Sequence, residues 1–489
     1  MNRCLGALVL AALTLCLTAA GCIKMGPDFK RPEAPVTDAP TYQHGPREVD
    51  GPAPTDRWWE VFGDPLLNRI VDEVLRQNLD IRQASAKILE LKYQVAQVRA
   101  DRFPAIGFQA QGQRQHQASA TVGSGGSIGG TTDSYNLSVP ASFELDLWGK
   151  LARAQEASEA ALLQGEETRW TVAQSVVAEA VTLYLRIESL ERRIQISRES
   201  LRNYQDSVTF VERRYKRGLA SILDLRQARR TLAQAQAGLP LLLQELGAAQ
   251  QALGVLLGRY PETEPPRKQP EDYYRDLAPV PPGLPSELLL RRPDIRAAEA
   301  RLRSLNALIG VRKASRFPSI SLTGSYGYSS SALGSMFQPD TAWNLAGSLV
   351  QPLFDAGRLK AAERAAEARY AQGVAEYEKT VLGAFAEVEK ALLTRKEQIQ
   401  RREEIVRFLK EARATQRVAE ARYVRGLVDY LAVLNAQQTR FKAEDDLVLV
   451  DFAILSNRVT LHRALGGGWG NLPPVRGKET QGLRSYTVW

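Results

Sequence analysis

Few residues of this 489-residue chain have the type and setting for covalent chemistry, and the clearest of them is Cys22. It follows Thr18-Ala19-Ala20-Gly21, while further upstream Arg3 precedes an apolar run from Leu5 to Leu17. That order of cation, apolar stretch and small residues is a secretory signal with its cleavage site. Small residues directly before a cysteine form the pattern of a bacterial lipoprotein signal. Cys22 is therefore expected to become the first mature residue, its thiol carrying a covalent lipid. The apolar run is shorter than the ~20 residues that a membrane-spanning helix needs. Cys4 and Cys16 would leave with the signal over 1–21, so no disulfide framework or cysteine metal site is expected, and no cofactor beyond the lipid.

Other chemistry is sparse. His44, His116 and His462 fall on different elements, and the sequence holds no Ser-His-Asp arrangement, HExxH, phosphate loop or nucleotide fingerprint. Carboxylates are numerous but stand beside Arg and Lys on helical faces, where solvated ion pairing is their ordinary role. The chain is accordingly expected not to be an enzyme. Its net charge of +9 falls to +8 without Arg3, and both signs are interspersed, so no concentrated basic patch points to nucleic acid.

A second pattern concerns conformation. Residues 214–219 read Arg-Tyr-Lys-Arg-Gly-Leu, and 422–427 read Arg-Tyr-Val-Arg-Gly-Leu. Gly218 and Gly426 follow basic residues, as where a helix ends in a left-handed residue and cations face the negative end of its dipole. Each stretch is read as the turn of a helical hairpin. Their separation, 426 minus 218 or 208 positions, suggests an internally duplicated chain.

The elements that hold these turns repeat in the same order. Asp64-Pro65 opens a helical pattern that runs to Arg102 and stops at Phe103-Pro104. Strand-like alternation follows from Ile106 to Gln113 and from Tyr135 to Leu147, with a Gly/Ser-rich loop expected over 123–132. Lys150 to Arg217 contains no proline and keeps a helical stripe, and Leu223 to Leu257 returns from the turn. Residues 259–285 hold eight prolines and read as a crossover linker. Beyond it Pro293-Asp294-Ile295-Arg296 echoes Leu79-Asp80-Ile81-Arg82, and Arg316-Phe317-Pro318 echoes Arg102-Phe103-Pro104. Strand patterns recur at Ser319 to Ser329 and Thr341 to Phe354, then helices at Gly357 to Arg425 and Leu431 to Leu465.

The fold class is therefore mixed, mainly α, with strands of the length and alternation of membrane β-structure. The expected domains are the signal at 1–21, a lipid-anchored extended segment at 22–63, a first repeat at 64–258, the linker at 259–285, a second repeat at 286–466 and a tail at 467–489. Within the repeats the β-hairpins fall at 103–147 and 318–355, and the helical tips at 215–224 and 423–432. Four strands are too few to close a barrel, so copies from several chains must combine. Two chains would supply 8 strands and three would supply 12. A hairpin ~100 Å long likewise needs neighbours to cover its faces. A hollow ring of helices joined to a hollow barrel is a conduit.

At this point the residues resemble the TolC-type outer-membrane efflux factors, in their lipoprotein branch associated with resistance-nodulation-division pumps. The resemblance covers nearly the whole mature chain. It rests on Gly26-Pro27-Asp28-Phe29-Lys30-Arg31-Pro32 after Cys22, on Trp58-Trp59-Glu60-Val61-Phe62-Gly63-Asp64-Pro65, on Leu288 to Glu299, and on the two Gly-Leu turns. It implies a homotrimer with a 12-stranded outer-membrane β-barrel continuous with a 12-helix periplasmic α-barrel, an equatorial collar near the Pro-rich linker and chain ends, and docking to a periplasmic adaptor and an inner-membrane pump. It also implies that Tyr215, Arg217, Gly218, Leu219 and Asp224 of the first tip, with Tyr423, Arg425, Gly426, Leu427 and Asp429 of the second, form the periplasmic gate and meet the adaptor. The gate-closing pair would fall on Tyr423 and Asp224. The acidic ring of some relatives would fall on Ala432 and Asn435, which carry no charge, with Asp429 a nearby substitute. Within the family a type I protein secretion channel is the alternative. Outside it stand a periplasmic adaptor, which would have a single helical hairpin, and an enzyme or binding protein on a solenoid, whose period would be roughly 20 to 50 residues.

Overall fold

A computed structural model describes residues 24–33, 42–45, 57–122, 126–263, 265, 277, 280, 285–335 and 341–467. Cys22, the expected signal, most of the 259–285 linker and the tail beyond Gly467 lie outside the described residues.

A short 3-10 turn, Trp58–Phe62, leads into helix α1, Pro65–Gln77. Asp64 caps α1, its carboxylate accepting the Leu66 N–H at 2.7 Å, and proline occupies the first turn. The single helix expected from Asp64 to Arg102 is in fact two, because α1 stops at Asn78 and α2 runs Leu79–Ala100. Asn78 turns extended (ψ 132°), and its side-chain oxygen accepts from Asp80 N–H (2.9 Å) and Ile81 N–H (3.1 Å), capping the new helix. Its amide nitrogen donates to the Leu256 carbonyl at 3.0 Å, a partner 178 positions away.

Strands β1 (Ala105–Ile106), β2 (Gln109–Val122) and β3 (Gly126–Leu145) follow. The loop expected over 123–132 is shorter than that, since β2 and β3 stay paired up to Val122 and Gly126. Pairing uses backbone N–H and C=O groups, which Gly and Ser supply as well as any residue. Helices α3 (Lys150–Lys216) and α4 (Ile222–Leu256) complete the first half.

The second half has α5 (Pro285–Arg291), α6 (Pro293–Ala314), β4 (Ser319–Ser330), β5 (Thr341–Val350), α7 (Arg358–Val424) and α8 (Tyr430–Ala464). Strand β5 ends before the expected Phe354, because Pro352 has no N–H to give to a ladder. Both long helices have 67 residues and both return helices 35. Their starts differ by 358 minus 150 and 430 minus 222, each 208, so the two hairpins correspond without insertion. None of the described helices is long and apolar enough to cross a membrane, which says nothing of the strands.

The chain divides into two compact units: Met1–Glu33, Lys87–Glu166 and Ala297–Tyr377 in one, and Ala34–Ala86, Glu167–Arg296 and Glu378–Trp489 in the other. The first unit contains one antiparallel sheet. β1 and β2 share one edge of β3, β3 pairs β4, and β4 pairs β5. Its register sorts side chains by face. Leu137 opposite Tyr328, Val139 opposite Tyr326, Phe143 opposite Leu322 and Tyr326 opposite Trp343 lie on one face. Asn136 opposite Ser329, Gln111 opposite Asn136 and Ser325 opposite Asn344 lie on the other, around a polar hollow of about 260 Å³. Trp343, Leu345 and Leu349 on the apolar face are each more than half exposed.

In the second unit Trp58, Trp59 and Phe62 are buried with Leu67 and Val71 of α1 against Val177, Val181 and Tyr184 of α3 and Leu455 and Val459 of α8. The Asp64 carboxylate that caps α1 also accepts from the Tyr184 hydroxyl. Arg292, between α5 and α6, is buried and bidentate to Asp294 (3.0 and 2.7 Å), and it donates to Glu387 (3.0 Å) and to the Ala464 carbonyl (2.9 Å). Burial opposes its charge, yet these two carboxylates hold the guanidinium above its ordinary pKa. The Trp-Trp and Leu-to-Glu299 motifs are thus packing and ion-pair devices that fix helices to one another.

Candidate functional site

The two helical tips have the same backbone and different side chains. At the first, Gly218 is left-handed (φ 72°), Gly218 N–H donates to Tyr215 O at 2.9 Å and Leu219 N–H to Arg214 O at 2.9 Å. At the second, Gly426 (φ 73°) donates to Tyr423 O at 3.0 Å and Leu427 to Arg422 O at 2.9 Å. This paired bonding to the last free carbonyls is the Schellman ending, and it requires a residue without a Cβ penalty at positive φ. Three residues later a new helix is capped. Ser221 accepts from Asp224 N–H (3.1 Å) while Asp224 accepts from Ser221 N–H (3.0 Å), a complete capping box. Asp429 caps α8, accepting from Ala432 N–H at 3.0 Å.

The structure thereby separates residues that the sequence left together. Asp429 stands where Ser221 stands, not where Asp224 does, and its carboxylate is committed to the cap; the counterpart of Asp224 is Ala432. Asn435 is exposed. Tyr215, Arg217, Gly218, Leu219, Arg425, Gly426, Leu427 and Asp429 are exposed, whereas Asp224 is half-buried and Tyr423 is buried. The duplicated tyrosines have diverged: Tyr215 is 41% exposed and Tyr423 is 7% exposed.

Tyr423 belongs to an aromatic and aliphatic cluster that the sequence reading did not find. Tyr204 and Val211 of α3, Leu225 and Ala228 of α4, Tyr423 of α7 and Tyr430, Val433, Leu434 and Phe441 of α8 form its buried part. Ring centroids of Tyr423 and Tyr430 lie 5.5 Å apart, those of Phe210 and Tyr423 6.1 Å, and the Arg214 guanidinium sits 5.1 Å over Tyr423. Burial pushes the phenols of Tyr204 and Tyr430 up to about 12, with Asp224 a further cause at Tyr430. Burial also raises Tyr423, Arg214 lowers it and Asp224 raises it again. Asp224 therefore acts electrostatically on both tyrosines, while its hydrogen bond goes to Ser221. The seven-residue spacing of Tyr423 and Tyr430 across a turn was the available signal for this cluster.

In the first unit residues 24–33 of the expected extended segment are docked. Met25 N–H donates to Trp148 O at 3.0 Å. Arg153 of α3, only 2% exposed, donates to Met25 O (3.1 Å), Asp28 (2.8 Å) and Glu156 (2.8 Å), and Asn306 of α6 donates to Pro27 O (2.8 Å). Arg31 pairs with Glu299 at 3.2 Å, and Arg303 lies 5.4 Å over the Phe29 ring. Arg153 holds the Asp28 carboxyl below its usual range. Gly26 is left-handed (φ 91°), and a Cβ on it would fall 2.5 Å from Gly310 Cα, so the two backbones approach as only glycines allow.

Comparison with known proteins gives the context of these features. The profile described as outer membrane efflux protein matches residues 70–259 and 284–467. "Probable outer membrane lipoprotein SilC" of Salmonella typhimurium is 33% identical over 469 residues, covering 94% of this chain and 99% of that one. The solvent efflux pump outer membrane protein SrpC of Pseudomonas putida is 34% identical over 463 residues, covering 93% and 97%. The solved outer-membrane channel OprN superposes with a TM-score of 0.83 at 30% identity, covering 91% of this chain and 99% of that one. The two matched segments contain both helical tips, and on these grounds the chain belongs to the outer membrane efflux protein family.

Proposed function

We propose that this protein is the outer-membrane exit duct of a tripartite efflux pump, passively conducting cargo handed on by a periplasmic adaptor and an inner-membrane resistance-nodulation-division pump. The observation that carries this reading is the sheet. One chain supplies four strand positions with an apolar exposed face, a polar opposite face and, among the described residues, partners on one side only at β2 and β5. In lipid every backbone group must be paired, so such a sheet has to close with copies of itself. Three copies give a 12-stranded barrel, within the range known for outer-membrane proteins, and bring 12 long helices into a periplasmic tunnel. The work of the duct is gating and conduction, without catalysis. Purified in detergent, the protein should have the mass of a trimer and should form pores in planar bilayers; a monomer without pore activity overturns the reading.

The tips are the proposed gate and adaptor-docking surface. Tyr423, wedged among aromatic rings, and Asp224, whose charge bears on it, hold the two hairpins of a chain together. Asp224→Ala leaves the Ser221 cap of α4 in place and removes only the reciprocal bond from the Ser221 N–H. Tyr423→Phe combined with Asp224→Ala should raise single-channel conductance several-fold; an unaltered conductance rejects the pair. Lipidation of Cys22 is the proposed anchor, and the 24–33 segment, which begins two positions beyond it in sequence, packs within the unit that carries the sheet. Cys22→Ser should abolish palmitate labelling while leaving the fold unchanged, and persistent labelling removes the anchor.

A further inference from the structure

Beside the aromatic cluster a cavity of about 270 Å³ opens between α3, α7 and α8. Its walls include two carboxylates, Asp206 and Glu420, and three aromatic rings, Phe210, Tyr423 and Tyr430. Gln437 supplies the remaining feature. It is 4% exposed, and its amide nitrogen donates to Glu420 (3.1 Å) and Ser207 (3.3 Å), which fixes the orientation of the amide. Its side-chain oxygen is then a buried acceptor with no partner among the described residues, in the wall of the cavity. A buried acceptor left unpaired forfeits the hydrogen bond it had with water, so such a group calls for a donor.

Glu420 itself accepts only amide hydrogens, from Gln416 (2.7 Å) and Gln437, and among the described residues neither it nor Asp206 has an ion pair. Among the described residues the lining itself holds two carboxylates and no cation; of the arginines nearby, Arg214 lies over Tyr423 and Phe210 (5.1 and 5.9 Å) and Arg440 is paired with Glu199 and Glu444. An anion would meet two carboxylates and an unpaired oxygen. A neutral apolar guest would leave the Gln437 oxygen unsatisfied. A compact cation with N–H groups meets all three needs, because it donates to Gln437, neutralises Glu420 or Asp206 and lies against aromatic faces.

The geometry points to a binding site for a small organic ammonium or guanidinium ion in this cavity, bridging α3 of the first hairpin to α7 and α8 of the second. If the tips are the gate, as proposed above, the guest ties the two hairpins together and favours their present arrangement. This effect rests on the gate reading; the binding itself does not.

The test is equilibrium dialysis of the purified full-length protein against n-butylammonium and propylguanidinium, with n-butanol as the neutral comparison. The cations should bind saturably, roughly tenfold more weakly to Glu420→Gln and more weakly again when Asp206→Asn is added; tenfold corresponds to about 1.4 kcal/mol. Asp206 is exposed, so Asp206→Asn alone keeps the fold and should still weaken binding. Failure of the wild type to bind up to about 10 mM, equal binding by the variants, or uptake of butanol as well as the ammonium overturns the site. A protein that binds the cations but does not conduct counts against the duct alone, and one that conducts without binding them counts against the cation site alone.

Discussion

Leu345→Arg should abolish outer-membrane assembly, whereas Ser348→Arg, three residues along the same strand, should leave it intact. Leu345 is 78% exposed and stands opposite Gly324, on the face that carries Tyr326, Trp343 and Leu349. Ser348 stands opposite Ser321, on the face that carries Asn344 and Ser325. An arginine on the lipid face of a membrane strand costs about 2–4 kcal/mol near the bilayer midplane. Three copies in a closed barrel would multiply that to roughly 6–12 kcal/mol, comparable with the whole stability of an ordinary domain. The same cation on the polar face remains in water and changes the conduction of ions more than the fold. The readout is the fraction of chain migrating as a folded oligomer on semi-native gels of outer-membrane extracts. Equal assembly of the two variants would mean that the apolar face does not meet lipid.

How much of this was legible in the sequence depends on the range of the interaction concerned. The hairpins were, because a helical stripe, a glycine after cations and a repeat at 208 positions are local signals that α3–α4 and α7–α8 obey together. The alternation of Leu137, Val139 and Phe143 with Asn136 and Ser138 likewise announces a two-faced strand. Asn78 was not legible: within a helical pattern one asparagine reads as a tolerated polar residue, and the Leu256 carbonyl that receives its amide is distant in sequence. The docked N-terminal segment was hidden for the same reason. Nothing near Gly26 announces that Gly310, inside α6, is the residue whose missing side chain admits it. At the tips the repeated motif announces the two turns, and Asp224 against Ala432 their inequality, but not which tyrosine is buried. Tyr215 faces water and Tyr423 is buried, because Tyr430, which replaces Ile222 of the first tip, offers the second tyrosine a ring to pack on.

The same long-range burial makes His462 an acid sensor of stability. Near the end of α8 its imidazole stacks on Trp58, with centroids 5.1 Å apart and planes within 14°. Burial, with Arg458 on its own helix and Arg395 on α7 as further causes, lowers its pKa from 6.5 to about 3. The ring is therefore neutral in the fold at every pH above about 3. In the unfolded chain it takes up a proton once the pH falls below 6.5, so between 6.5 and about 3 the unfolded state binds more protons and stability falls as the pH falls. The slope approaches 1.4 kcal/mol per pH unit, which amounts to roughly 3 kcal/mol per chain between pH 6.5 and pH 4. His462→Phe keeps an aromatic ring against Trp58 and removes the titration. Carboxylates contribute equally to both proteins, so the difference between their urea midpoints isolates the histidine. The variant should gain on the wild type as the pH is lowered from 7 to 4, with the gap opening below 6.5. Parallel curves would mean that the imidazole is already solvated or charged in the fold, and that the Trp58 stack holds the α8 end without a buried neutral ring.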